Sequence, residues 1–544
     1  MKIWKKIVAA ALAASMCVTA FAACDEREEK KDYSNMTVLN IGVYDGGLGT
    51  DWMKQVAARF EARYEGVSLE SGKTGVHVEI TGKKDQYLQD NLLAGIQGGS
   101  EANELYYTSQ NNLSFYTSAG VAYDLTDVVT EKVYNAEGYL AEDGEEAVMS
   151  IYDKMDPYFQ EAFNSAETEG QYEFLGMPFE DNVSGFVYDR DLFEANGWLD
   201  YDGRDGMPAT TNEFLSLLQR IARANYIPFT LSRDVAYYST AYVNAFAAQY
   251  EGEANWSLLN SYEGDYTAKD GTKTPITEET GYQLASLMEG KLKAAEFVRD
   301  VMRADFYDPD IFKTGHSYSM AQKNFVMSKE GGAKRIAMLF EGEWWENEAR
   351  GYFNSMGNSK PENGYGMRDF RFYPIPAISG QAVEGQISLG SMASGTVLLA
   401  NKKVIEGNAV KEKLVKEWLQ FQHSEEALEI FSMVTGAVLP YEYDFSEEQL
   451  AKMTPFARDV WDVHRGGEVT IIRFSPEAAT PFARGTTMGI GWRSKVGTTE
   501  YTLELFSTMI NNPSLSARDY FDGIAAYYNE KDWTAAYNVF YNIA

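Results

Sequence analysis

Near the start of the folded part of the chain, apolar residues follow a strand-like spacing and a helix-like spacing in turn. Residues 37–44 alternate as a strand does, and residues 51–64 carry apolar side chains at every third or fourth position. The pattern then predicts strands at residues 76–80 and 104–107, and a helix at residues 87–96. This alternation predicts a mostly parallel sheet with flanking helices, in which ligands bind beyond the carboxyl ends of the strands.

The same alternation continues along the rest of the chain. An amphipathic helix is predicted at residues 211–224, with Thr210 or Thr211 available as its N-cap. Residues 252–280 are rich in Gly, Asp and Thr and are interpreted as an excursion on the surface. A strand is also predicted at residues 185–188, and helices at residues 191–196, 280–304, 409–423, 446–465 and 517–529. The whole pattern predicts a two-lobed α/β protein.

The first 23 residues are typical of a secretory signal, with three lysines followed by an alanine-rich apolar run. The run is too short to cross a membrane comfortably, and no later segment offers about 20 consecutive apolar residues. We therefore expect export. Residues 24–35 are charged and nearly devoid of apolar side chains, so we expect a disordered tether there.

Cys24 ends the sequence F-A-A-C, which resembles a bacterial lipobox although Phe21 stands where Leu is usual. Cleavage after Ala22 by an ordinary signal peptidase is the alternative. The chain has two cysteines, and the other, Cys17, lies inside the signal. Lipidation of Cys24 would give the remaining cysteine a use and hold the protein at the membrane surface.

Charge and composition exclude several classes of partner. A net charge of -32 disfavours nucleic acids and anionic lipid surfaces, which are bound through basic residues. None of the four histidines stands in an H-E-x-x-H motif, and no P-loop or G-x-S-x-G elbow is present, so we expect no metal and no cofactor. Aromatic residues make up 14% of the chain and suit binding surfaces as well as cores.

Six short motifs occur in a fixed order along the chain. They are L-L-A-G-I at 92–96 leading to Glu104, G-V and D-L-T-D within 120–127, G-M-P at 176–178 with Y-D-R-D-L-F at 188–193, P-A-T at 208–210 with E-F at 213–214, A-M-L-F-E-G-E-W-W at 337–345, and E-W-L-Q-F at 417–421 with S-E-E-A at 424–427 and T-G at 435–436. The series resembles family 1 extracellular solute-binding proteins, the group that includes maltose-binding protein. The resemblance extends from residue 36 to about residue 533.

The resemblance implies a periplasmic-binding-protein-like fold of type II, in which each lobe is a mostly parallel sheet flanked by helices and the ligand cleft lies between the lobes. It places lobe 1 at residues 36–177 and 376–436, and lobe 2 at residues 178–375 and 437–544. It implies a monomer, not an enzyme, that captures an extracellular solute, most simply an oligosaccharide, and delivers it to an ABC-transporter permease. With lipidation, the protein would sit on the extracellular face of the cytoplasmic membrane.

The resemblance also implies ligand-binding residues, each with a structural alternative. Tyr44 and Asp45 follow the first strand, where a plain turn is the alternative, and Tyr107, Gln110 and Asn111 follow the third. Glu180, Asp181 and Asn182 follow the G-M-P motif, and could instead be hinge residues bonded to backbone. The remaining candidates are Glu341, Glu343, Trp344, Trp345, Arg473 and Trp492. Of these, Trp344 aligns with a tryptophan that stacks on a sugar ring in the family, Trp345 is a near alternative, and Arg473 is a candidate clamp for an acidic sugar.

Two rival functions stay open at this point. A glycoside hydrolase would use a pair of carboxyl groups drawn from Glu180, Glu341 and Glu343. A surface adhesin or sensor would bind glycans without an importer. Residues 200–206 also resemble a short calcium loop, but they lack the terminal glutamate of an EF-hand, so a polar turn is the simpler interpretation.

Overall fold

The structure is a computed structural model that describes residues 32–109, 113–166, 168, 170–201, 204–232, 236–313, 315–328, 334–390, 396–473 and 488–543. Cys24, Gln110 and Asn111 lie outside these ranges. The strands are β1 (Thr37–Tyr44), β2 (Val76–Lys83), β3 (Leu105–Ser109), β4 (Met177–Pro178), β5 (Val183–Asp189), β6 (Asp200–Tyr201), β7 (Arg204–Asp205), β8 (Ile227–Leu231), β9 (Gly264–Thr267), β10 (Lys273–Ile276), β11 (Ile336–Gly342), β12 (Phe370–Tyr373), β13 (Ile387–Gly390), β14 (Thr396–Ala400), β15 (Thr470–Ile472), β16 (Ser494–Val496) and β17 (Thr499–Tyr501).

Helices flank the strands along the whole described chain. They are α1 (Asp51–Arg63), α2 (Gln89–Gly98), α3 (Leu113–Ser118), α4 (Thr126–Thr130), α5 (Ile151–Lys154), α6 (Pro157–Phe163), α7 (Arg190–Ala195), α8 (Thr211–Arg223), α9 (Ala236–Glu251), α10 (Glu253–Ser261), α11 (Leu284–Leu287), α12 (Glu289–Arg303), α13 (Tyr318–Met327), α14 (Trp345–Glu348), α15 (Arg350–Gly357), α16 (Lys402–Ile405), α17 (Ala409–Gln422), α18 (Glu425–Thr435), α19 (Glu447–Leu450), α20 (Pro455–Arg465), α21 (Leu505–Asn511), α22 (Ala517–Tyr527) and α23 (Glu530–Phe540). Within the described ranges, no helix is both long and apolar enough to cross a membrane.

The first sheet has five strands in the order β2-β1-β3-β14-β4. β1 pairs in parallel with β2 and β3, because α1 and α2 carry the chain back between them. β14 runs antiparallel to both β3 and β4. The carboxyl ends of β1 and β3 therefore lie at one edge of this sheet.

The second sheet has the strand order β15-β13-β5-β11-β8, with β12 paired to β5. Every residue of β5 and β11 is buried, as in a strand covered on both faces. β11 is parallel to β8 and antiparallel to β5. Two sheets with flanking helices confirm the predicted α/β class, and both sheets combine parallel with antiparallel pairs.

Three predicted elements differ from those observed. The helix predicted at residues 280–304 is interrupted at Met288, which has non-helical angles (φ -76°, ψ 80°) between α11 and α12. The helix predicted at 446–465 divides into α19 and α20, since Pro455 begins a new helix. The excursion predicted at 252–280 contains α10 and the hairpin of β9 and β10. Thr210, not Thr211, is the N-cap of α8.

The chain crosses between the sheets at two clear points. β4 belongs to the first sheet and β5 to the second, so residues 179–182 form the first crossing. β13 belongs to the second sheet and β14 to the first. The predicted lobe boundaries stay a prediction.

Candidate ligand-binding site

The first crossing carries three of the predicted site residues, and all three are buried. Thr396 fixes the backbone here, because its hydroxyl donates to the carbonyl of Glu180 at 3.0 Å. Asn182 Nδ2 donates to Glu180 Oε2 at 2.7 Å. Burial, with a smaller contribution from nearby Glu343, raises the pKa of Glu180 to about 8, so its carboxyl group holds a proton at neutral pH.

Asp181 and Arg473 form a two-pronged ion pair. Arg473 Nε donates to Asp181 Oδ1 at 3.0 Å, and its Nη2 contacts Oδ2. The guanidinium also lies 5.3 Å from the ring centroid of Tyr158. Asp181 occupies the donor fork of Arg473 in this arrangement, and the clamping of an acidic sugar by Arg473 stays a prediction.

Glu343 and His464 complete this group. His464 Nε2 lies 2.8 Å from Glu343 Oε2, and its Nδ1 lies 3.8 Å from Asp181 Oδ2. Burial raises the pKa of Glu343, and burial lowers the pKa of His464 to about 4, so the imidazole is neutral at pH 7. We call Glu180, Asp181, Glu343, His464 and Arg473 the junction cluster. It joins the first crossing, the end of β11, α20 and the end of β15.

Trp344 lies beside the junction cluster and is half-buried. Its six-membered ring rests against Gly342, where a side chain would collide with the indole. Gly47, in the turn after β1, approaches from the first sheet: a Cβ atom built there would lie 2.6 Å from the Trp344 Cβ. The Tyr238 ring lies edge-on to the indole at 6.2 Å, and Tyr318 stacks on Tyr238 at 6.3 Å.

A buried carboxyl group lies under Trp344. Gln322 Nε2 donates to Glu341 Oε1 at 3.0 Å and to Glu348 Oε2 at 2.6 Å, so one amide bridges two carboxyl groups. Burial, together with nearby Glu348, raises the pKa of Glu341. Tyr44 ends β1, just before the turn that contains Gly47, and its pKa is raised by burial and then by Tyr318, Glu348 and Glu180. We call Tyr44, Tyr238, Tyr318 and Trp344 the aromatic cluster.

Residues 46–428 match the family model described as bacterial extracellular solute-binding protein. This chain belongs to that family. The match covers most of the folded chain, and it confirms the family resemblance of the ordered motifs. No curated protein compared with this solute-binding protein matches its sequence.

Solved structures similar to this solute-binding protein cover nearly its whole length at low sequence identity. The apo form of RafE from Streptococcus pneumoniae is 13% identical with a TM-score of 0.52, covering 93% of this chain and 100% of that one. A chitin oligosaccharide binding protein is 13% identical with a TM-score of 0.53, covering 91% and 99%. A protein from a study of xylan utilization by Caldanaerobius polysaccharolyticus is 12% identical with a TM-score of 0.55, covering 90% and 100%. These similarities confirm the two-lobed fold.

Three predicted site residues of this solute-binding protein lie among its buried core residues, and their role in ligand binding stays a prediction. Tyr107 is fully buried, donates to Gln422 Oε1 at 2.5 Å and accepts from Trp418 Nε1 at 2.9 Å. Its hydroxyl group is therefore fully used inside the first lobe.

The other two are Trp345 and Trp492. Trp345 is fully buried and its ring packs against four phenylalanine rings at 5.1 to 5.8 Å. Trp492 is 8% exposed, and its Nε1 donates to Asn244 Oδ1 at 2.8 Å. Both indoles belong to the buried hydrophobic core.

The structure brings together residues that sequence reasoning missed. These are Tyr238, Tyr318, Gln322, Glu348 and His464, which come from α9, α13, α14 and α20. Lone polar residues on amphipathic helices carry no local signal of a site. In the described ranges, no group of three His, Cys, Asp or Glu side chains is arranged to hold a metal ion. β6 and β7 pair antiparallel, and Asp202 and Gly203, which follow β6 in the sequence, lie outside the described residues.

Proposed function

We propose that this protein captures an oligosaccharide in the cleft between its lobes and delivers it to the permease of an ABC importer. The observation that carries the proposal is the aromatic cluster, where half-buried Trp344 lies next to carboxyl and amide groups. A sugar ring has apolar faces that stack on aromatic rings and hydroxyl edges that bond to carboxyls and amides. RafE has been solved in complex with raffinose, which supports the same ligand class here.

The proposed contact residues are those that border this cluster. Trp344 and Tyr44 supply ring faces, and Glu180, Asn182 and Glu341 supply hydrogen-bonding groups. Asp45, half-buried beside Gly82 on β2, is a further polar contact. Gln110 and Asn111 remain in the proposal through their position after β3.

We further propose that Cys24 carries the lipid that holds a monomer on the extracellular face of the membrane. Mass spectrometry of the N-terminal peptide from the membrane fraction tests this. A diacylglyceryl modification on Cys24 supports the anchor. An unmodified N-terminus at Ala23 would mean ordinary signal cleavage and a secreted protein.

A binding role is favoured over glycoside hydrolysis by the partners of the carboxyl groups. Glu343 is bonded to His464, and Glu341 to Gln322. A hydrolase needs a proton donor and a second carboxylate, both facing the scissile bond at a fixed separation. The internal bonds of these carboxyls support structural and ligand-orienting roles for them.

The deciding experiment is a melting-temperature screen with raffinose, chitotriose and xylotriose, with recovery of each sugar afterwards. A bound sugar at a hundred times its Kd should add about 2.7 kcal/mol of stability. We expect Trp344→Ala to abolish the shift and Tyr139→Ala, an exposed aromatic outside the cluster, to retain it. Cleaved sugar would overturn the proposal in favour of a hydrolase, and no shift with any sugar would exclude this ligand class.

A further inference from the structure

The turn after β1 is bonded to the helix that follows Trp344. Asn347 Nδ2 donates to the carbonyl oxygen of Gly47 at 2.7 Å, although the two residues are 300 positions apart. β1 belongs to the first sheet, and α14, which contains Asn347, follows β11 of the second. This hydrogen bond therefore links the segment that follows β1 of the first sheet to the segment that follows β11 of the second.

Gly47 packs against Trp344 at a distance that only glycine permits. A Cβ built on Gly47 would lie 2.6 Å from the Trp344 Cβ and 2.7 Å from its Cγ, closer than real Cβ atoms approach. Gly49 has φ +63°, which lets the turn bend without strain. The turn thus packs against the Cβ, Cγ and Cδ1 atoms of Trp344.

Trp344 is consequently held from two sides. Gly342 of the second sheet supports its six-membered ring, and Gly47 of the first sheet covers its Cβ, Cγ and Cδ1 atoms. The residue as a whole is half-buried. An indole fixed before binding loses less conformational freedom when a ligand arrives.

We propose that Gly47 and Asn347 are positioning residues, which fix the Trp344 ring between the two sheets and stabilise the arrangement that meets the ligand. The inference rests on the proposed binding function, because it gives Trp344 a ligand to face. A contact that exists in only one arrangement of these two segments shifts the population toward that arrangement.

Hydrogen–deuterium exchange of the purified protein without ligand tests the contact. Asn347→Ala removes the hydrogen bond without adding atoms, and Gly47→Ala adds the obstructing methyl. We expect amides in residues 44–49 and in residues 342–348 to exchange about three to ten times faster in both variants, the net effect of one hydrogen bond. Gly98→Ala is the matched control, since a Cβ there meets no atom within 4 Å.

Acceleration in both segments supports the proposal. Exchange that stays unchanged, or that quickens in only one of the two segments, would overturn it, because the sheets would then not be coupled at this point. Should Gly47→Ala fail to fold, Asn347→Ala decides the question alone. The sugar screen is independent: its failure removes the proposed function, whereas unchanged exchange alongside a positive screen removes only this inference.

A binding titration with raffinose, chitotriose and xylotriose measures the effect of the same contact on sugar affinity. For any of these sugars that binds, Asn347→Ala should raise the Kd about three- to tenfold. The melting temperature of the variant protein without sugar should change little. Gly98→Ala should bind as the parent does. Tighter binding by Asn347→Ala would show that the contact competes with the ligand, which also overturns the proposal.

Discussion

Glu180 connects the chemistry of one carboxyl group to the stability of the whole chain. Burial raises its pKa from 4.5 to about 8 in the folded protein. Between these two pH values the folded chain holds a proton that the unfolded chain releases, so the free energy of unfolding falls as pH rises. The slope from one such group reaches about 1.4 kcal/mol per pH unit.

Glu180→Gln should remove this contribution. The free energy of unfolding of the variant should rise relative to that of the parent as pH rises from 5 to 8. Only the parent loses stability over this range, because its folded state binds a proton that its unfolded state releases. Urea unfolding at pH 5, 6.5 and 8 measures the difference, with exposed Glu384→Gln as the control variant. A difference that stays constant over this range would show that Glu180 is ionised in the folded state.

Adjacent tryptophans illustrate what sequence could and could not predict at this scale. The A-M-L-F-E-G-E-W-W motif predicted an aromatic residue at the cleft, but it offered Trp344 and Trp345 together. Consecutive residues of a helix point about 100° apart, so one of the two must turn away. Phe325 and Phe370, distant in sequence, create the apolar pocket that takes Trp345.

At the scale of elements, periodicity predicted most of the first lobe because local spacing determines which face is buried. β1 covers the predicted residues 37–44 without change, and α1 ends one residue before the predicted end. Residues 446–465 show where periodicity fails. Their apolar spacing continues across the break, but Thr454 is the N-cap of a new helix that begins at Pro455. The Thr454 hydroxyl also donates to the buried carboxyl group of Glu346.

Thr454→Ala tests that break. Thr454 Oγ1 accepts from the Ala457 amide at 3.2 Å and donates to Glu346 Oε2 at 2.5 Å. The variant loses the cap and leaves a buried carboxyl group without this donor, so we expect a loss of about 1 to 3 kcal/mol in urea unfolding. Thr454→Ser retains the hydroxyl and should keep most of the stability; equal losses in both variants would contradict the cap.

At the scale of the whole molecule, the junction cluster could not be read from the sequence because its members meet only after folding. Asp181 and Arg473 are 292 positions apart, and Glu343 and His464 are 121 apart. Sequence placed four of the five residues near ligand by family resemblance. It could not show that they bond to one another, because no local pattern specifies a partner across two sheets.

Asp181→Asn should destabilise the protein strongly. The amide keeps the size of the carboxylate but leaves the Arg473 charge buried and uncompensated, which costs about 3 to 5 kcal/mol. Chemical unfolding measures the loss, and adding Arg473→Gln should recover part of it. A loss under about 1 kcal/mol would mean that solvent screens the pair as it screens a surface ion pair.

The position of β14 between β3 and β4 governs the order in which the chain is able to assemble. During synthesis, β1, β2 and β3 emerge well before residues 396–400 do, and until then β3 offers an unpaired edge. The nascent chain thus carries an incomplete sheet for more than half of its length, which exposes it to edge-to-edge association. The first sheet therefore cannot be completed until most of the chain has been synthesised.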